Sequence, residues 1–209
     1  MKDLLMLEWK KFSGNTVFRA LGLLYILVSP FIILGGKNTF KDMPPPMPSS
    51  KTFFEFPTVW DYQGYIGNWM IPFCLGFLVI HMITSEVSNR TMRQNIITGM
   101  TRKNFFLSKL YSMFFMAILA TILYVISTIV IGVLHTDGFD LELIMDNNMA
   151  VIRFFLLCVG YMSFAFLLAF IIRKGMLSLL TCFMYVLILE PILMLIHVYY
   201  FKNSSRNYW

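Results

Sequence analysis

The chain has 209 residues, of which 58% are apolar, 17% aromatic and only 13% charged. A soluble domain of this composition would have too little polar surface to cover its core, so the composition excludes a soluble protein and indicates an all-α polytopic membrane protein. The net charge of +6 then reflects membrane topology and not nucleic-acid binding.

The N-terminal segment, residues 1–14, is amphipathic. Its apolar residues recur at helical spacing while its charged residues occupy other faces: Met1, Leu5, Trp9 and Phe12 against Lys2, Asp3, Lys10 and Lys11. Such a segment lies flat at the membrane interface, with its lysines toward anionic lipid. We therefore predict an interfacial elbow helix; the alternative is a frayed basic N-terminus.

Five apolar segments approach or exceed the roughly 20 residues that a membrane-spanning helix needs. They fall at residues 17–34, 65–84, 110–134, 151–172 and 176–201. We expect them to form one transmembrane domain over residues 1–209, because spanning helices must supply the core for one another.

The basic residues determine the orientation of these spans. With the N-terminus inside, the cytoplasmic segments hold most of them: Lys2, Lys10, Lys11, Arg19, Arg90, Arg93, Arg102, Lys103, Lys109, Arg173 and Lys174. Most acids fall on the other side. Positive-inside logic therefore predicts a multi-pass protein of the cytoplasmic (inner) membrane with a cytoplasmic N-terminus.

The first outer loop begins with a stiff stretch that contains four prolines, at positions 44, 45, 46 and 48. A dense group of aromatic residues follows: Phe53, Phe54, Phe56, Trp60, Tyr62, Tyr65 and Trp69. This density predicts an interfacial belt facing the headgroups; a substrate-contacting aromatic surface is the alternative.

The loop at residues 85–109 is the only long polar and basic segment between two apolar runs. Glu86 ends the second span, and a helix-compatible stretch follows at 88–98. Gly99 can end that stretch, and Thr101 can cap the helix that leads into the third span. The sequence thus predicts a short cytoplasmic helix between spans two and three, where a soluble partner would dock.

Glu190 is a carboxylate near the middle of the fifth span, where it is costly unless it is neutralised or paired. Pro191 follows it and removes a backbone hydrogen bond, so we predict a bent helix. Glu190 is accordingly a candidate for the translocation path, binding a cation or relaying a proton. A packing carboxyl, protonated or hydrogen-bonded, is the alternative. We expect Arg153 to extend to the headgroups and not to reach Glu190.

Catalytic signatures are absent. No GxxxxGK[ST], HExxH or GxSxG sequence occurs, so no catalytic, cofactor-binding or metal site is predicted. His81, His135 and His197 belong to different spans or span ends. The three cysteines all lie in apolar runs, which favours buried packing over disulfides or metal binding.

The residue order of the 85–109 loop resembles that of the permease subunits of ABC-type-2 exporters. There, the loop carries a glutamate, a threonine, two aliphatic residues, a turn, Ser/Thr-Arg, an aromatic residue and a lysine. The matching positions are Glu86, Thr91, Ile96, Ile97, Gly99, Met100, Thr101, Arg102, Phe106 and Lys109. The elbow helix, the long first outer loop and the short inner loop at 173–175 extend the resemblance to nearly the whole chain.

The resemblance implies a permease with six spans, paired with a second permease copy or paralogue and with two separate ABC ATPase subunits. Those ATPases would bind ATP and Mg, and the coupling helix would transmit their closure as a rigid-body shift. The implied ATPase-coupling residues are Glu86, Arg90, Thr91, Arg93, Ile96, Ile97 and Arg102. Only five spans are visible, so we expect a sixth after Trp209.

The expected function is export of a substrate, powered by the partner's ATP hydrolysis. The sequence does not separate lipid, peptide, antibiotic and polysaccharide substrates. Two alternatives stay open. An intramembrane enzyme would need Glu190 and a histidine to share a cavity, and a non-transporting membrane scaffold would need the loop only as an anchor.

Overall fold

The computed structural model describes residues 10, 14–39, 54–89, 91, 101–136 and 144–201. The main elements in these ranges are helices. They are α1 (Thr16–Thr39), α2 (Val59–Ser88), α3 (Arg102–His135), α4 (Met149–Ile172) and α5, which continues through Gly175–Met184, Tyr185–Leu189 and Glu190–Phe201. The predicted all-α polytopic class is confirmed.

Four of these helices, α2 to α5, are long and apolar enough to cross a membrane, and α1 provides a shorter apolar stretch at Thr16–Val28. The helices extend beyond the predicted second and third spans, since α2 begins at Val59 and α3 at Arg102. At 1.5 Å per residue, a helix of 34 residues such as α3 is about 51 Å long, against about 30 Å of hydrocarbon. Part of α3 therefore projects beyond the bilayer.

One end of the bundle gathers the start of α1, the end of α2, the start of α3 and the turn between α4 and α5. The Asn15 amide lies 3.1 Å from Nε2 of His81. A Cβ added to Gly175 would lie 3.1 Å from the Thr84 hydroxyl, so glycine permits this close approach. We call the end of the bundle that gathers these segments the basic end, and the opposite end of the bundle the aromatic end. The predicted same-side placement of these segments agrees with the structure.

Helix α4 lies at the centre and packs against α2, α3 and the first part of α5. Its buried face repeats at helical spacing: Phe154, Cys158, Met162, Ala165, Phe166 and Ala169. Small residues on that face allow neighbouring backbones to approach closely, as is usual between helices in lipid. Cys74 and Cys182 are buried too, so the predicted packing role of the cysteines agrees with the structure.

The aromatic residues just before α2 and in its first turns do not all face the headgroups. Tyr65 and Trp69 are exposed, as a belt requires, but Phe54, Phe56 and Trp60 are buried. The belt prediction was wrong for these three, because their rings fill the space between the helices at the aromatic end. Ring contacts join them to the bundle, at centroid distances between 4.2 and 6.2 Å: Phe54–Tyr62, Phe54–His135, Phe56–Trp60, Trp60–Tyr124 and Tyr124–Phe154.

Two prolines of the longer helices lie in or next to wide, π-helical turns. Pro72 lies within the π segment Ile71–Gly76 of α2, and Pro191 follows the π segment Tyr185–Leu189 of α5. A proline lacks an N–H and crowds the carbonyl four residues before it, and a π turn accommodates both effects without ending the helix. The disturbance predicted at Pro191 is therefore a widened turn within a continuous helix.

The close contact at Gly132 gives a test of the packing. A Cβ there would overlap the Phe56 ring, whereas a Cβ at Gly160 would meet nothing within 4 Å. We expect Gly132→Ala to lower the free energy of unfolding by about 1–3 kcal/mol relative to Gly160→Ala, because only the first variant overpacks the core. Both variants gain the same helix propensity, so it cancels. Thermal unfolding of the detergent-solubilised chain measures the difference, and equal midpoints would contradict this packing.

Candidate functional site

A buried ion pair lies at the basic end, between the two helices that flank the 85–109 loop. Nζ of Lys109 lies 2.5 Å from Oε1 of Glu86, and the two side chains are 0% and 1% exposed. The ammonium also lies 5.5 Å from the centre of the Phe105 ring, within cation–π range. The sequence identified both charged residues as parts of one pattern but did not predict that they would pair.

The helix ends around the pair are fixed by local hydrogen bonds. The Thr101 hydroxyl accepts from the backbone N–H of Asn104 at 3.2 Å, so Thr101 is the N-cap that the sequence predicted for α3. The Thr91 hydroxyl donates to the backbone carbonyl of Glu86 at 3.3 Å. These bonds hold the two ends of the loop at fixed positions.

The other predicted coupling residues divide into two groups. Arg102 is exposed in the first turn of α3, and Thr91 is half-buried against the end of α2. The remaining ones, and the coupling helix itself, lie outside the described residues: Arg90, Arg93, Ile96 and Ile97. The elbow helix predicted at 1–14 also lies almost wholly outside them.

The ion pair restrains α2 and α3 to one relative position. A charge removed from water must keep its partner, since the separated ions would each bear a desolvation cost of several kcal/mol. The pair therefore acts as a clamp at the root of the loop. Its contribution is to geometry more than to net stability.

A second polar group lies deeper, where α4 faces α5. The Tyr161 hydroxyl donates to Oε1 of Glu190 at 2.5 Å. Oε2 of Glu190 is shielded and has no hydrogen-bond partner among the described residues. The hydrogen bond from Tyr161 is expected of a carboxyl that serves only in packing. The unpartnered Oε2 is expected of a carboxyl in a binding site.

Arg153 does not extend freely to the headgroups as expected. Its Nη2 lies 3.0 Å from Oδ1 of Asp61 and donates to Oδ1 of Asn147 at 2.9 Å. Asn147 in turn donates to Oδ2 of Asp61 at 2.7 Å. The three side chains join α2 to the start of α4 at the aromatic end, and the ion pair is about half exposed.

The polar contacts of His81 and His135 do not involve Glu190. His81 contacts Asn15, and Nδ1 of His135 lies 2.8 Å from the carbonyl oxygen of Ile131. In the described part of the chain no three His, Cys, Asp or Glu side chains are grouped so as to hold a metal ion. The cleft beside Glu190 is lined by no histidine.

Comparison with protein families connects this arrangement to transport. The model of a family described as ABC-2 family transporter protein matches residues 4–189, most of the chain. The chain belongs to the ABC-2 transporter family. A search of the curated proteins and a search of the solved structures each found no match. The resemblance seen in the sequence is confirmed, and the protein is an integral, multi-pass permease of a class that works with an ABC ATPase.

The ion pair of the permease can be tested by a double-mutant cycle. We expect Glu86→Met or Lys109→Met alone to destabilise the permease by about 3–5 kcal/mol, because each leaves one buried charge without its counter-charge. The double variant Glu86→Met with Lys109→Met should cost less than either single one, because it leaves no uncompensated charge. Thermal unfolding in detergent measures all three.

The matched control is Asp61→Asn at the half-exposed pair with Arg153. Solvent screens that pair, so the change should cost less than about 1 kcal/mol. If the costs of the two single changes at the buried pair simply add in the double variant, the two charges do not interact as described.

Proposed function

We propose that this permease exports its substrate across the cytoplasmic membrane, with the basic end in the cytoplasm and separate ABC ATPase subunits docked on the 85–109 loop. The observation that carries the proposal is the buried Glu86–Lys109 pair. It anchors both ends of the loop to the bundle, so a force on the loop would move α2 and α3 together. ATP and Mg would be bound by the ATPases, and a second permease copy or paralogue would complete the membrane domain.

The charges at the basic end support the cytoplasmic placement. The exposed basic residues there include Arg102, Lys103, Arg173 and Lys174. Because α3 is longer than the bilayer is thick, its first turns can carry these charges beyond the hydrocarbon, where a soluble partner reaches them. Basic residues concentrate on the cytoplasmic side of membrane proteins, which supports placing the basic end in the cytoplasm.

Of the two alternatives, the intramembrane enzyme lacks support in the described residues. It required Glu190 and a histidine to share one cavity, and the cleft that Glu190 lines includes none. The scaffold alternative differs from the permease only in having no coupled ATPase. The coupling test below therefore distinguishes the scaffold from the permease.

The orientation predicts which sites an impermeant thiol reagent reaches. We expect a Ser49→Cys variant to be labelled in intact cells and a Ser88→Cys variant to be protected, because Ser88 lies exposed at the basic end. Permeabilised cells are the control, in which the Ser88→Cys variant should label too. Labelling at that site in intact cells would reverse the orientation and remove the docking proposal.

The coupling proposal predicts different effects for two kinds of residue in the loop. Truncating a buried anchor at a protein contact commonly costs about 2 kcal/mol or more, whereas a rim charge usually costs less than about 1. Ile96→Ala with Ile97→Ala should therefore release or uncouple the ATPase more than Arg93→Ala does, while membrane insertion stays normal. Pull-down in detergent, followed by the turnover of the bound ATPase, measures both effects.

The detergent removes the competing explanation that the isoleucines merely insert into the lipid interface. Loss of the ATPase in detergent then reflects a protein contact. If the double-alanine variant keeps the bound ATPase and its full turnover, the loop is not the coupling element and the scaffold becomes the better description.

A further inference from the structure

A cleft of about 670 Å³ lies between α4 and the second half of α5. Its α4 wall runs from Arg153, near the aromatic end, to Phe164, about 12 Å from the end of α4 at the basic end. Its α5 wall includes Tyr185 and Glu190. The cleft exists because Gly175–Met184 packs along α4, whereas Glu190–Phe201 contacts α4 much less. Its size is that of a typical small-molecule site.

The π segment of α5 determines what the cleft contains. In an α-helix, residues five apart point about 140° away from each other. Here, the backbone N–H of Glu190 donates to the carbonyl of Tyr185, which is the five-residue bond of a π turn. The wide turn therefore stacks Glu190 above Tyr185 on one face, and both line the cleft.

The carboxyl of Glu190 is the acidic group of this cleft, and it is incompletely satisfied. Oε1 accepts from Tyr161, but Oε2 has no partner in the part of the chain that the structure describes. A buried polar atom without a partner destabilises the structure, and more so when it is charged. A ligand that donates a hydrogen bond or carries a positive charge would remove this cost.

Arg153 does not neutralise Glu190, although both residues line the cleft. Its guanidinium is engaged with Asp61 and Asn147 at the aromatic end. It also lies eight residues from Tyr161 on α4, a helical rise of about 12 Å. Arg153 is thus not the counter-charge of the acidic group of the cleft.

Aromatic rings surround the same place. Phe164 and Tyr185 are in contact, with their centroids 4.4 Å apart, and Tyr161 lies beside Glu190. Rings together with a carboxylate attract organic cations, quaternary ammonium groups above all. The other walls are apolar, formed by Leu156, Leu157 and Gly160. The cleft therefore combines a cation subsite with room for an apolar chain.

We propose that this cleft binds a cationic amphiphile, with its ammonium group at Glu190 and its apolar chain along α4. The proposal rests on the proposed transport function and gives that function a substrate class. A neutral chain of the same length without a hydrogen-bond donor would leave Oε2 unsatisfied, and an anionic one would be repelled by the carboxylate. Charge, and not chain length, is what the cleft selects.

The charge of the cleft can be measured through a cysteine placed in it. The full chain is reconstituted in phosphatidylcholine nanodiscs with Gly160→Cys, a position where an added Cβ meets nothing within 4 Å. The three native cysteines are buried and provide the background rate. Modification by trimethylammonium-ethyl and by sulfonato-ethyl methanethiosulfonate is compared, and the rate ratio is normalised to Met149→Cys, an exposed site at the first residue of α4 and outside the predicted span.

We expect the cationic reagent to be favoured about tenfold or more in the normalised ratio. Glu190→Gln should bring this ratio close to one. Tyr161→Phe should keep it, because it removes the hydroxyl and leaves the carboxylate. A ratio near one in the chain that retains Glu190 overturns the proposal, whether or not the Gln variant folds.

Ligand binding is tested by protection of the Gly160→Cys thiol. Dodecyltrimethylammonium should slow its modification at least severalfold in the chain with Glu190, while dodecyl methyl ether, a neutral molecule of similar chain length with no hydrogen-bond donor, should not. Equal protection by both would show that the cleft takes any apolar chain, and no protection by either would show that it takes neither. Both results overturn the proposal.

These measurements need no ATPase, so they separate the two proposals. A chain that binds dodecyltrimethylammonium but captures no ATPase would refute the transport function and leave the cleft assignment in place. A chain that captures and stimulates the ATPase but shows neither charge selectivity nor protection would refute only the cleft assignment.

Discussion

Two opposite charges that are excluded from water hold the basic end of the bundle together. If α2 and α3 separated there, Glu86 and Lys109 would each lose a counter-charge that lipid cannot replace. The turn between α4 and α5 packs on the same end, where Gly175 approaches Thr84. Four helix ends therefore meet near this pair. An anchor of this kind suits a permease whose neighbouring loop is proposed to receive force from an ATPase.

The cost of unsatisfied polar groups also shapes the interior of the spans. Pro72 and Pro191 each remove a backbone donor, and the hydrocarbon offers no water to replace it. The wide turns at Ile71–Gly76 and Tyr185–Leu189 keep both helices continuous. In α5 this adjustment has a further effect, because it places Glu190 and Tyr185 on one face. The π turn that accommodates Pro191 thus also brings the carboxyl group of Glu190 and the ring of Tyr185 into the cleft.

The sequence predicted what local patterns determine. The spans follow from runs of apolar residues, and the start of α3 follows from Thr101, whose cap bond reaches only three residues along the chain. It could not predict contacts between distant segments. Tyr161 and Glu190 are 29 positions apart, and no periodicity indicates that they meet. Arg153 was assigned to the headgroups because its partner, Asp61, lies on another helix. A proline likewise indicates a lost hydrogen bond but not the π turn that compensates for it.

The basic end and the cleft are connected through packed helices. Phe73, in the π segment of α2, contacts Phe183, just before the π segment of α5, with ring centroids 4.8 Å apart. The two wide turns are thereby joined, and π turns often mark functional positions in helices. If an ATPase acts on the loop as proposed, a shift of α2 would reach α5 through this contact, at the point where α5 begins to diverge from α4. Because α4 is held on three sides, the wall formed by α5 is the one that such a shift would move. The volume of the cleft, and with it the affinity for a ligand at Glu190, would then change with the position of the loop.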